Sequence, residues 1–267
     1  VHPDAALMLA LIAGRGGLPK LLMQRLKERP MICALEGYAP DLSGVVTFRI
    51  ETLGSFIAML KERGVTQVCF AGQVQRPALD PSLIDPATMP LVPRMMAALQ
   101  QGDDAALRVV LAFFEEAGLA IVAAHDLAPD LLPEAGVLTA AKPSESDKTD
   151  AARGVDLLSA LSAADIGQSC VIARAQVLAV EAQPGTDFML ASLAQLDRAR
   201  SGGFVKAPKD GQDRRVDLPM IGPDTVRLAA EAGLYGLVLA AGGVQMLEPQ
   251  LCIASANDLD LFIWVRP

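Results

Sequence analysis

The sequence predicts an α/β protein with an N-terminal Rossmann-like domain on a parallel sheet and a C-terminal α/β domain on a mixed sheet. Three observations carry this. Through the first half, short apolar runs of strand length alternate with segments of helical period, the β-α-β pattern of a parallel sheet covered by helices. Between residues 128 and 147 the composition shifts to Pro, Gly, Ser and Glu, which marks an inter-domain linker. Beyond it, strand-like runs at 170–173 and 176–181 are joined by a tight turn. The expected boundaries are 1–130 for the first domain, 131–146 for the linker and 147–267 for the second.

The elements follow in order. Residues 7–13 form a continuous apolar run, followed by a Gly-rich turn and a helix over 19–28. Residues 31–35 and 45–50 read as further strands. Over 52–63, Leu53, Phe56, Ile57 and Leu60 make the i, i+3, i+4, i+7 stripe of an amphipathic helix. Gly64 ends it, and 67–71 is another buried strand. Helices at 93–100 and 103–117 precede a strand at 119–123. The second half opens with a helix at 147–162, then the two strands. Thr186 is the expected N-cap of a helix reaching 196. Pro223 at the first position and Gly233 past the last turn bracket another helix. Strands at 237–240, 244–247 and 261–265 complete the mixed sheet.

With 267 residues, 52% hydrophobic and 20% charged, the chain can bury a sizeable core and is not a disordered one. Aromatics at 4% leave that core to Leu, Ala, Val and Ile. A net charge of −8 argues against nucleic acid, whose phosphates are met by Lys and Arg. Cys33, Cys69, Cys170 and Cys252 lie far apart without a C-x-x-C pair, so neither a zinc site nor a disulfide framework is expected. No window reaches the ~18–20 apolar residues that span a bilayer, and residues 7–14 lack the basic leader and cleavage site of a signal peptide. A cytoplasmic protein is expected.

Residues 204–222, FVKAPKDGQDRRVDLPMIG, carry the chemistry. Asp217 stands between Val216 and Leu218, an expensive place for a charge unless something pairs with it. Lys206, Lys209, Arg214 and Arg215 are near enough in sequence to neutralise phosphate oxygens, which points to phosphate chemistry. Asp217 is then a candidate for holding a metal or handling a proton. Only His125 is an internal histidine and no G-x-S-x-G elbow exists, which argues against a serine triad. Oxygen ligands remain, and carboxylates with phosphate oxygens select Mg²⁺.

Other motifs leave alternatives open. In LIAGRGGLPK, Gly14 and Gly16 fit the first two positions of G-x-G-x-x-G, but Pro19 replaces the third glycine. Glu36 ends the next strand, where a ribose-binding acid belongs. The turn either presents backbone N–H groups to a phosphate or uses glycine for its backbone freedom. A second turn with Gly72 and Gln73, in CFAGQVQRP, stands at the same carboxyl edge; Arg76 there is either a ligand contact or a surface charge. Asp103 and Asp104 are capping acids or metal ligands, and Asp187 beside Thr186 poses the same choice in a loop at a sheet edge. Met89, Met95 and Met96 are core packing or an adaptable lipid- or partner-binding surface.

Taken in order, LIAGRGGLP, CFAGQVQRP, GDDAALR, ADIGQS, VLAVEAQPGTDFML, FVKAPK and RVDLPMIG resemble the LpxI family, the UDP-2,3-diacylglucosamine pyrophosphatases of lipid A biosynthesis in some Gram-negative bacteria. The resemblance runs from about residue 7 to 262; Arg15 interrupts a usually all-small glycine turn, and Gln73 stands where Asn is expected. It implies Mg²⁺-dependent hydrolysis of UDP-2,3-diacylglucosamine to UMP and 2,3-diacylglucosamine 1-phosphate, with the essential aspartate at Asp217. Asp217 would hold Mg²⁺ and orient the water, while Lys206 and Arg215 stabilise phosphoryl oxygens. Gly16, Gly72, Gln73, Gln168, Thr186 and Asp187 would contact the nucleotide, sugar or phosphates, alongside Gly14 and Lys209. Two acyl chains require an apolar groove and transient contact with a membrane surface, so the expected place is the cytoplasm, peripheral at the inner membrane. A homodimer is the default assembly. The alternative is an NAD(P)-dependent oxidoreductase using Gly14, Gly16 and Glu36, or a non-catalytic carrier.

Overall fold

The computed structural model describes residues 8–75, 78–100, 103–196 and 199–267, the residues at 103 and 104 by their backbone alone. The chain divides into two compact units, Val1–Ala128 and Pro129–Pro267.

The first unit runs β1 (Met8–Ala13), α1 (Leu18–Arg25), β2 (Met31–Leu35), β3 (Val46–Phe48), α2 (Leu53–Glu62), β4 (Val65–Ala71), α3 (Val92–Leu99), α4 (Asp103–Glu116), β5 (Ala120–Ile121) and α5 (Ala124–Leu127). Its five strands pair in the order β3-β2-β1-β4-β5, all parallel. The continuous apolar runs explain this. Ala10–Ala13 and Ile32–Leu35 are buried residue after residue, as strands covered on both faces must be. The stripe of α2 (Leu53, Phe56, Ile57, Leu60) is buried. Phe48 stacks on Phe56 with centroids 3.8 Å apart, and Phe114 meets Phe70 edge-on at 5.3 Å. The strand expected at 45–50 is shorter, because the chain tightens into a 3-10 turn over Ile50–Thr52. Its Glu51 is buried, accepting from the backbone N–H of Asp80.

The second unit runs β6 (Gly136–Val137), α6 (Glu145–Ser162), β7 (Ser169–Ala173), β8 (Gln176–Val180), α7 (Thr186–Ala194), β9 (Gly203–Lys206), β10 (Met220–Ile221), α8 (Pro223–Glu231), β11 (Gly236–Ala240), β12 (Gln245–Met246), α9 (Pro249–Asp258) and β13 (Phe262–Arg266). Six strands form a mixed sheet in the order β6-β13-β11-β9-β7-β8, with β9, β11 and β13 parallel and β7 antiparallel to both neighbours. Alternate residues face opposite sides. Val171, Phe204, Leu237, Leu239 and Ile263 pack with α7, α8 and α9. Cys170, Ile172, Val205, Val238 and Phe262 pack with Ala151 and Leu158 of α6.

Three departures from the sequence reading have physical causes. The run at 244–247 does not join the mixed sheet; as β12 it pairs with β10 in a separate two-stranded parallel sheet. Too few residues separate β11 from β12 for the crossover that a parallel neighbour requires. The stretch 131–146, read as linker from composition, contributes β6, and Ala140 N–H donates to Asn257 Oδ1 of α9. Helix α6 starts at Glu145 because Ser144 and Asp147 close a capping box, the Asp147 carboxylate accepting from Ser144 N–H at 2.8 Å. The β7–β8 turn places Arg174 and Ala175 at φ 50° and 59°. Glycine or asparagine usually takes such positions; here the buried Asp150 carboxylate accepts from both N–H groups, at 2.8 and 2.7 Å.

Candidate active site

In the second unit the carboxyl ends of β8, β9, β11 and β13 lie at one edge of the mixed sheet, because β7 runs against β8 and β9 while β9, β11 and β13 are parallel. Ligands of α/β sheets gather outside such ends. Lys206 closes β9 and is 5% exposed. Its Nζ donates to Thr186 Oγ1 at 2.6 Å and lies 3.8 Å from Glu181 Oε2. Burial pushes the ammonium below its ordinary pKa, and the nearby charges of Glu181 and Asp187 oppose that shift without cancelling it.

Glu181, one residue past β8, organises this end of the cluster. Its Oε2 accepts from Ser169 Oγ at 2.7 Å and from Gln168 N–H at 3.3 Å, and its Oε1 accepts from Thr186 Oγ1 at 3.0 Å. Thr186 is therefore not the N-cap of α7. Gly185 takes that place at φ 89°, and the Thr186 hydroxyl turns to Glu181 and Lys206 instead. Asp187 sits in the first turn of α7, where an acid favours the helix dipole.

Asp217 lies in the loop between β9 and β10, half-buried, with its N–H donating to the Asp213 carbonyl at 3.1 Å. Gln212 Nε2 donates to Asp217 Oδ2, and Gln168 Nε2 donates to Gln212 Oε1 at 2.9 Å. Lys209 pairs through Nζ with Asp165, and Arg215 lies against Asp213, Nη2 to Oδ2 at 2.7 Å. Arg214 is exposed. The fold thus links Gln168, Thr186, Lys206 and Asp217 in one hydrogen-bonded cluster through Gln212 and Glu181. Lys209 joins it through its backbone N–H to Gln212 while its ammonium turns to Asp165, and the charge of Asp187 acts on Lys206. Sequence reasoning missed Glu181, Ser169 and Gln212. An acid at the end of a strand, before Gln-Pro-Gly, was the available signal for Glu181; Gln212 gave none. Among the described residues no group of three His, Cys, Asp or Glu could hold a metal by itself. A Mg²⁺ ion fits here as one that takes one or two carboxylates and its remaining oxygens from phosphates and water, a donor set Mg²⁺ accepts.

Gly14, Gly16, Gly72 and Gln73 lie at the carboxyl edge of the sheet in the first unit. Arg15 and Gln73 exchange backbone hydrogen bonds at 2.9 and 2.8 Å, so the two turns touch main chain to main chain. A Cβ on Gly14 would stand 2.4 Å from the Gln73 oxygen, and one on Gly72 2.7 Å from the Arg15 oxygen. Gly16 has φ 101° with open space around its Cβ direction. Beside these turns a cleft of about 390 Å³ is lined by Arg15, Glu36, Tyr38, Arg49 and Glu51 among others. Glu36, the acid expected on a ribose, pairs with Arg49. Arg76 and the side chains of Asp103 and Asp104 lie outside the described residues. Met95 is buried in the core, while Met89 and Met96 are exposed.

Fold and cluster define a two-unit α/β protein with a buried lysine and a hydrogen-bonded aspartate at the carboxyl edge of its second sheet. Residues 8–131 match the LpxI N-terminal domain and residues 134–264 the LpxI C-terminal domain. The chain is 37% identical over 268 residues, 96% of each sequence, to the UDP-2,3-diacylglucosamine pyrophosphatase LpxI of Caulobacter vibrioides. The chain belongs to the LpxI family. Among the described residues no helix is long and apolar enough to cross a membrane.

Proposed function

We propose that this protein hydrolyses the pyrophosphate bond of UDP-2,3-diacylglucosamine, giving UMP and 2,3-diacylglucosamine 1-phosphate for lipid A biosynthesis, with Mg²⁺ required. The similarity over 96% of both chains to a relative bearing that activity in its name carries the reading. Water adds across the P–O–P bridge: one P–O bond forms to the water oxygen, the bridging P–O bond breaks, and each phosphate leaves as a monoester. Asp217 would hold the metal together with diphosphate oxygens; when bound, the ion neutralises charge that develops as the bridge breaks. Asp217 also orients the attacking water, and the Lys206 ammonium stabilises phosphoryl oxygens from a site that excludes solvent, where a fixed charge acts strongly. In the second unit Gln168, Thr186, Asp187, Lys209 and Arg215 bind substrate around these two groups; in the first unit Gly14, Gly16, Gly72 and Gln73 are candidates for a phosphate or nucleotide contact at their own sheet edge. The acyl chains bring the protein to a membrane surface. Phe188, 63% exposed on α7, is a candidate apolar contact for them. The reading includes a homodimer, which sedimentation velocity checks.

Purified protein is tested for UMP release from UDP-2,3-diacylglucosamine by mass spectrometry, with Mg²⁺ and with excess EDTA. Mg²⁺-dependent UMP with the acylated sugar phosphate is expected, and Asp217→Asn should lower turnover at least about a hundredfold while leaving the fold intact. Folded protein that releases no UMP in either condition overturns the reading. An Asp217→Asn variant of near wild-type rate removes the role of Asp217 alone.

A further inference from the structure

We propose that Gln212 is a positioning residue that fixes the orientation of the Asp217 carboxylate and ties it to the lysine end of the cluster. This rests on the hydrolase reading above. The amide of Gln212 can be oriented without ambiguity. Its Oε1 faces the backbone N–H of Lys209 at 3.1 Å, and a backbone N–H can only donate. The oxygen must therefore lie on that side, where it also accepts from Gln168 Nε2 at 2.9 Å. The other end of the amide, Nε2, then points at Asp217 and donates to Oδ2. Gln168 is itself held at both main-chain atoms, its N–H donating to Glu181 Oε2 at 3.3 Å and its carbonyl accepting from Ala207 N–H at 3.0 Å. One path of hydrogen bonds thus runs Asp217–Gln212–Gln168–Glu181–Thr186–Lys206.

The chemistry of the linking residue is specific. A neutral amide donates to the carboxylate without placing a second full charge against it. Glutamate would still accept from Lys209 N–H and Gln168, but at neutral pH it has no proton to offer Asp217 and repels it. Asparagine is one methylene short of bridging the same three groups. Outer-shell partners of this kind are worth 10–100-fold in activity.

The test uses the full chain with Gln212→Ala, Gln212→Asn and Gln212→Glu, each compared with wild type for kcat, KM, pH profile and melting temperature. Expected is a roughly 10–100-fold fall in kcat with KM within about threefold. Gln212→Glu should lose at least as much kcat as Gln212→Ala, because a carboxylate there faces Asp217 with no hydrogen to donate. A Gln212→Ala enzyme within threefold of wild-type kcat overturns the proposal. So does a loss that appears in KM and melting temperature alone. A crystal structure of Gln212→Ala decides the same point without turnover: Asp217 in a new rotamer supports the assignment, and an unmoved Asp217 sinks it. Should wild type release no UMP, the hydrolase reading falls while this structural result still judges the positioning role.

Discussion

Lys206 carries an ammonium into a place with almost no water, and the consequences are measurable at that one residue. Its folded-state pKa lies below the ordinary 10.5 because burial outweighs the attraction of Glu181 and Asp187. In the window between those two values the unfolded chain binds more protons than the folded one, so this group's contribution to stability improves as pH rises through it. Lys206→Met removes the buried charge and leaves Glu181 with its Ser169, Thr186 and Gln168 donors. The variant should lose the wild-type rise of stability with pH below 10.5, with turnover falling by two orders of magnitude or more. Denaturant melts at several pH values check this; a variant that keeps the wild-type pH slope contradicts it. At this scale the sequence was readable where charge and apolar neighbours coincide, as at Lys206 and Asp217. It was silent on Gln212 and Ser169, whose roles depend on partners 44 and 12 residues away in the chain.

Helix α6 shows what packing does to a local preference. Gly154 sits in its middle, where alanine would be favoured by about 1 kcal/mol. A Cβ there would stand 2.7 Å from Val205 Cγ2 and 3.0 Å from Val205 Cβ, on a stiff β-branched side chain in the middle of the sheet. Overpacking of this kind costs about 1–3 kcal/mol, so Gly154→Ala should destabilise the protein despite its better helix propensity. A urea midpoint that rises instead would show that α6 can lift off β9 at little expense. Elements announced by period or by a continuous apolar run were legible with small shifts at their ends: β1, β2, α2, β4, α6, α8 and β11. Those with neither signal were not. β9 is only four residues with a lysine at its end, β6 is two residues inside a Pro- and Gly-rich stretch, and α9 opens after a glutamate at φ 50° rather than a cap.

At the scale of the molecule each unit has its own sheet and its own buried residues, and in the second both faces of the sheet are covered by helices of that unit. Residues 129–267 expressed alone should therefore fold cooperatively, with a single thermal transition and dispersed amide resonances. A fragment with helical circular dichroism but no cooperative melt refutes this. The class of each sheet was legible because β-α-β alternation and a hairpin leave different marks on a sequence. The pairing of β12 with β10 was not, since strand partners are chosen by connection length and space. One local feature bears on how such a chain can change over generations. Gly14 and Gly72 each leave room for the main chain of the other turn, so a side chain at either position meets atoms that no second substitution can trim away. Neither site has a compensating partner to drift with, and both are frozen by geometry before any ligand is considered. A map of variation among descendants would show both positions unchanged even where no ligand is bound, so their invariance by itself says nothing about binding.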